Sequence, residues 1–273
     1  MAALQFLVGE AGVSVSESER DLIARKVCID GDLEALQALH AAGWELRDPS
    51  FYAFMAARRG HLHVLTWLHE TLGAEAVEID AVLLSAAAYS GSVEAMAWLR
   101  ERGCEWGCSC ISNAAGSGCE EAVEWLVAQG CRIEAYGYAY TAACRKGDLA
   151  MARLLRRLGV PWGPAGEVVL QALRDSPLPM LRWLLEAGCP VGDYEAARTA
   201  VAERPSGREE ALELLEAHRQ RRRGAEGGPV PKLLTGFAVA IGVWLTPLAV
   251  RWCHRQLSGA PANSNYVCGS MDS

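Results

Sequence analysis

Apolar positions in the chain fall into short clusters that return at a nearly fixed interval. AARRGHLHVLTWL (56 to 68), AAYSGSVEAMAWL (87 to 99) and AAGSGCEEAVEWL (114 to 126) each carry an alanine pair. A glycine follows three positions after the second alanine, and Trp-Leu lies seven and eight beyond that glycine. AACRKGDLAMARLL continues the series from Ala142. With the glycine as anchor, Gly31, Gly60, Gly91, Gly118, Gly147 and Gly207 mark six copies, and Ser176 fills the place of a seventh. The spacings are 29, 31, 27, 29, 29 and 31, and a leucine stands eight residues after every anchor: Leu39, Leu68, Leu99, Leu126, Leu155, Leu184 and Leu215. Self-similarity at such a period is the mark of a repeat architecture.

Within each copy the polar and apolar positions predict two helices. After the anchor, apolar residues recur at plus four or five, seven and eight, as in Val64, Leu65, Trp67 and Leu68, which is one stripe of a 3.6-residue helix. A second glycine twelve residues after the anchor (Gly43, Gly103, Gly130, Gly159, Gly188, with Gly73 displaced by one) predicts where that helix stops, because glycine enters the left-handed region without a Cβ clash. A shorter segment precedes each anchor, for example SFYAFMAARR (50 to 59), and its alanines let neighbouring helices approach closely. Two short helices cannot bury their apolar faces alone, so the units must stack into an all-α solenoid of about seven helical pairs.

These residues resemble the ankyrin-repeat family from about Asp21 to His218, roughly 70% of the chain. The resemblance rests on the alanine pair (Ala56 and Ala57, Ala114 and Ala115), the turn glycine, the Gly60-His61 step, the apolar second helix and the closing glycine. It implies recognition of another protein. Two departures stand out. The Thr-Pro-Leu-His motif of the family is missing, with Phe54, Ser85, Ser112 and Thr141 where its histidine should be, and the period is shorter than the family's usual ~33 residues. Both imply shortened or absent β-hairpin fingers. The expected organisation is an N-terminal segment 1–20, the solenoid 21–218, a basic and Gly/Pro linker 219–232, an apolar helix 233–252 and a tail 253–273.

Charge narrows the partners. A net charge of −7 and a pI near 5.5 argue against a surface built to grip nucleic acid, which needs clustered Lys and Arg. The first twenty residues, with Glu10 interrupting a short apolar stretch and no basic start, do not read as a secretory signal. Ten cysteines without a dense framework suit a reducing compartment and no structural disulfides.

Candidate chemistry dissolves into the repeat register. GCEWGCSC (103 to 110) brings Cys104, Cys108 and Cys110 close in sequence, with Cys119 nine further on, and a zinc-binding protein is the remote alternative. Yet Cys104 shares its slot with Cys131 and Cys189, Cys110 falls on the core side of a first helix, and Cys119 follows an anchor, so the four thiols diverge and the paired CxxC spacing is absent. Trp67, Trp98, Trp125 and Trp183 all stand seven after an anchor and read as core between repeats, while Trp106 and Trp162 cover loops. His61, His63 and His69 do not share the i, i+4 face of a metal-binding helix. No nucleophile, P-loop, HExxH or paired-carboxylate motif is present, so the expectation is no enzyme, no cofactor, no metal and no small-molecule substrate.

The exposed positions of the first helix vary from copy to copy. One, two and five residues before the anchors they read Met55, Arg58, Arg59; Ala86, Tyr89, Ser90; Asn113, Gly116, Ser117; Ala142, Arg145, Lys146; and Gln171, Arg174, Asp175. This is a polar stripe whose charged residues are mostly basic, on an acidic protein, and it predicts a protein partner with an acidic surface. Tyr89 and Tyr138 are its candidate aromatic anchors. Tyr136, Tyr138 and Tyr140, in AYGYAYTAA at the opening of a first helix, cannot all be buried: either they offer exposed aromatic contacts beside Arg145 and Lys146, or Tyr140 is core and the other two are solvated. After the repeats, EAHRQRRRGAEGGPVPK leads to eighteen uncharged residues, Leu233 to Val250, long enough to cross most of a bilayer core of about 30 Å. Five basic residues precede that stretch within fifteen positions and two follow, so a tail anchor would leave the repeats in the cytosol. The alternative is a helix that caps the solenoid or joins two copies.

Overall fold

In the computed structural model, residues 16–164 and 166–226 are described. They form seven helical pairs: α1 (Glu17–Asp30) with α2 (Leu33–Ala41), α3 (Pro49–Arg58) with α4 (Leu62–Leu72), α5 (Ala81–Ser90) with α6 (Val93–Glu101), and α7 (Cys110–Ser117) with α8 (Glu120–Ala128). The remaining pairs are α9 (Tyr138–Lys146) with α10 (Leu149–Arg157), α11 (Glu167–Asp175) with α12 (Leu178–Glu186), and α13 (Tyr194–Glu203) with α14 (Arg208–Glu226). No strand occurs among the described residues. The last helix runs on through the basic cluster Arg219 to Arg223, so those arginines are helical.

Local chemistry starts the helices. Ser16 and Glu19 form a reciprocal capping box at α1. Asp48 caps α3 with Pro49 at its first position, and Asp80 caps α5. The residue after the anchor caps second helices in the same way: Asp32, Ser92 and Asp148 accept from the amides of Ala35, Ala95 and Met151.

First helices pack side by side as one layer, with Ala56, Ala57, Ala87, Ala88, Ala114, Ala115 and Ala143 buried at their contacts. Second helices form the other layer. All seven leucines eight residues after the anchors are fully buried, and each contributes about 1.5–3 kcal/mol through removal from water. The tryptophans depart from the core expectation. Trp67, Trp98, Trp125 and Trp183 are half-buried, each edge-on to a ring of the preceding unit: His40, His69, Trp106 and Trp162 respectively. The leucine slots fill the interior, which leaves the larger rings to seal its outer margin.

The turns explain the anchor. Gly91 and Gly147 have φ of +76° and +67°, and a Cβ there would lie 2.7 Å from Cys119 Cβ and 2.8 Å from Pro177 Cγ. At Gly31, Gly91 and Gly147 the residue after the next anchor nests against the turn, so both backbone and space demand glycine; at Gly60 and Gly118 the neighbours stand at ordinary contact distance and the left-handed backbone alone does.

Ser176 breaks this rule. Its backbone is extended (φ −77°, ψ 154°) because Pro177 follows and disfavours helical or left-handed geometry at the preceding residue. Proline also lacks the amide that, as Asp148 N–H in the preceding unit, bonds the carbonyl four residues before the anchor (Ala143 O, 3.0 Å). The replacement comes from the next unit. Arg204, only 5% exposed, donates Nη1 to Ala172 O (3.2 Å) and Leu173 O (3.1 Å) and Nη2 to Ser176 O. Its charge sits at the C-terminus of α11, where the helix dipole favours a cation.

Arg204 also corrects the register of the last unit. Ala200 and Val201 are buried in the alanine-pair slots and α13 ends at Glu203, so the anchor slot of that first helix is Arg204 and not Gly207. Pro205, Ser206 and Gly207 are an insertion before α14, whose Leu215 keeps its place counted from Gly207.

Candidate protein-binding surface

Burying the alanine pair turns the slots one, two and five before the anchor outward. Arg58, Arg59, Tyr89, Arg145, Lys146 and Arg174 are exposed, while Met55, Asn113 and Gln171 are half-buried. Ala86 is the exception and is buried. Several of these side chains are held in place. The Arg58 guanidinium lies over the Tyr89 ring at 4.1 Å and joins α3 to α5. Lys146 Nζ donates to Ser117 O (3.1 Å) and Asn113 Nδ2 to Ser85 O (3.1 Å).

The positive character has a defined extent. From the unit of Gly60 to that of Gly147, these slots hold Arg58, Arg59, Arg145 and Lys146 and no carboxylate. In the next unit the charge is met: Arg174 Nε contacts Glu203 at 3.3 Å and Gln171 donates to Asp175 at 3.0 Å. Gln171 and Arg174 thus belong to a neutralised end. Tyr138 lies seven residues before Arg145 on the same face of α9, half exposed, with Tyr136 stacked on it at 5.8 Å. Tyr140 is fully buried and donates its hydroxyl to Val160 O.

The cysteines of GCEWGCSC point apart. Cys104 is buried and donates to Asp80 O (2.9 Å), Cys108 is exposed, and Cys119 is a half-buried N-cap. Cys110 is buried and meets a thiol that sequence spacing did not single out. Cys131 hydrogen-bonds to Cys110, which draws the Cys110 pKa down, while the same contact and burial push Cys131 up. The signal was present: Cys110 stands in a buried slot eight before its anchor, where Leu83, Ala139 and Val168 stand in other units. Glu134 nearby is half-buried, accepts from Ser112 Oγ (3.0 Å), and is raised above the usual carboxylate range by desolvation. Among the described residues no group of three or more His, Cys, Asp or Glu side chains could hold a metal ion. His61 and His63 are structural: each Nε2 contacts a carbonyl of the preceding turn, Ile29 O at 3.0 Å and Gly31 O at 2.8 Å.

Comparison with solved structures settles the architecture. The human ASB11 ankyrin repeat domain superposes with a TM-score of 0.52 at 21% identity, over 70% of this chain and 96% of that one. The fold is an ankyrin-repeat solenoid. No protein-family model and no curated protein matches the sequence. Relative to the ankyrin pattern, the solenoid keeps the helical pair and the glycine turn, and it spends short irregular connections where the family has fingers.

Proposed function

We propose that this ankyrin-repeat solenoid is a protein-interaction scaffold whose first-helix face binds an acidic surface of a partner. The observation that carries the reading is the run from Arg58 to Lys146, four exposed cations without a carboxylate in their slots on a chain of net charge −7. Such a patch raises association rate and selects against basic partners. Its side chains bind by charge and ring contact, and recognition is the whole of the assigned mechanism. The test reverses Arg58, Arg59, Arg145 and Lys146 to Glu in the full chain, with circular dichroism as the folding control. Partner capture from lysate should fall at least tenfold; unchanged capture removes this face from consideration.

A second reading concerns residues 233–252, which lie outside the described residues. Among the described residues no helix is long and apolar enough to cross a membrane. The uncharged run Leu233 to Val250 and its arginine-rich N-terminal flank support a membrane tether. Alkaline extraction is decisive. A tethered chain stays in the pellet, while one ending at Arg223 is soluble. If both are soluble, the segment acts as a cap or a dimer contact.

A further inference from the structure

Five large apolar side chains are exposed among the described residues: Leu22 (67%), Val82 (58%), Tyr89 (44%), Tyr136 (59%) and Tyr138 (50%). Exposed apolar residues scattered singly need no explanation. These are not scattered. Leu22, Val82 and Tyr138 each stand nine residues before their anchors, Gly31, Gly91 and Gly147, and half-buried Phe51 stands nine before Gly60. Tyr89 lies seven residues beyond Val82 on α5, and Tyr136 is stacked on Tyr138. All five therefore belong to one face.

The first-helix face thus carries two parallel rows. The apolar row lies at the start of α3, α5 and α9, with Ser109 in its place before α7, and the cations lie at the ends of α3 and α9, with Tyr89, Ser90, Gly116 and Ser117 in those slots of α5 and α7. Seven residues separate them on each helix, two turns or about 10 Å, the width of an α-helix. Between the rows lies the slot five before each anchor, where Met55, Asn113 and Ala142 are half-buried and Ala86 is buried. From Arg58 and Arg59 to Arg145 and Lys146 the stack takes three steps of about 8–10 Å, a span of about 25–30 Å, matching a helix of about 17–20 residues. The described residues offer no strand edge on which an extended peptide could pair.

We propose that this face docks an amphipathic acidic helix of a partner protein, laid along the stack. Its apolar stripe rests on Phe51, Val82 and Tyr138, and its carboxylates face Arg58, Arg59, Arg145 and Lys146. This deepens the reading above and rests on the same face being the binding surface.

The experiment selects a displayed library of twenty-residue helix-forming peptides against the folded full chain. The best binders are then measured by fluorescence anisotropy. The expected sequences carry Leu, Phe or Trp at i, i+3, i+4, i+7 beside a face of Asp and Glu. Lys replacements of those acids should bind at least tenfold more weakly. Val82→Asp with Tyr138→Asp should weaken binding at least tenfold, as should Arg58→Gln with Arg145→Gln. Val82 and Tyr138 lie in the first turns of α5 and α9, where an acid suits the helix dipole, so the variant should remain folded. If the arginine variant loses binding and the apolar variant does not, the two-row proposal fails while the acidic-partner reading stands. If neither matters, both fail. A dimer in sedimentation that Tyr138→Asp dissociates would assign the row to a second copy and overturn the proposal.

Discussion

The turn after α9 and the turn after α11 do the same work with different chemistry. Gly147-Asp148 uses a left-handed glycine and two backbone amides to close its helix, all within one unit. Ser176-Pro177 cannot turn this way, and a buried guanidinium from 28 residues downstream closes the helix instead. The local solution closes its helix with its own amides and takes one side-chain bond, Ser176 Oγ to Cys144 O, from the next unit. The borrowed one welds the sixth unit to the seventh, so the C-terminal end of the stack should unfold as one block.

The largest expected effect is at Arg204. Arg204→Ala takes the guanidinium donors from the carbonyls of Leu173 and Ser176, leaving Ala172 O with only the Ser176 amide, and should cost about 3–4 kcal/mol, lowering Tm by roughly 10 °C; differential scanning calorimetry reads it. Restoring the local solution should uncouple the two units. In a Ser176→Gly, Pro177→Asp background, Arg204→Ala should cost at least ~1 kcal/mol less. Equal costs in both backgrounds would break the comparison. Gly147→Ala combines a left-handed backbone with a clash against Pro177, and about 2–3 kcal/mol is expected. Gly159→Ala has the same strain in open space and should cost only about 1 kcal/mol.

Two smaller effects sharpen the picture. His218, at the end of the stack, is buried and hydrogen-bonded to the Tyr194 hydroxyl, and burial with nearby Arg221 and Arg222 depresses its pKa. The unfolded chain then binds the proton more readily. The contribution of His218 to stability is present above its ordinary value of about 6.5 and fades as pH falls toward the depressed value; His218→Gln should flatten urea-unfolding midpoints between pH 7 and 5. Among thiols, burial raises Cys28, Cys144 and Cys189 to about 12. Native labelling at pH 8 should take Cys108 at least a hundredfold faster than these three. In Arg204→Ala, Cys144 should gain reactivity more than Cys28, because its carbonyl accepts from Ser176 Oγ at the weakened joint.

How much of this could be read from sequence follows from distance along the chain. The period, the buried leucines and the outward first-helix slots depend on spacings within one unit, and all are visible as a repeated pattern. Arg204 was not legible. Its partners lie a unit earlier, its need arises from an amide that Pro177 lacks, and the three-residue insertion before α14 disguises its slot behind Gly207. Cys131 was missed for a related reason, since it was read as a repeat position and its contact with Cys110 depends on what the first helix presents to it. Of the apolar row only Tyr138 is visible as a candidate anchor, because Leu22 and Val82 look like ordinary helix residues until exposure is known.

The same register that assigns Gly147 to the turn and Leu155 to the core assigns Tyr89 to an open face, and the central claim is that this face, not the second-helix layer, meets the partner. Site-specific photo-crosslinking tests it most directly. A benzoylphenylalanine at Tyr89 in the full chain, compared with one at exposed Arg157 on α10, is irradiated in cells and the adducts are counted on a gel. The account expects a discrete adduct from position 89 that is lost when Arg58, Arg59, Arg145 and Lys146 are reversed, and none from position 157. Adducts from position 157 alone, or an adduct at 89 indifferent to the reversals, would contradict it.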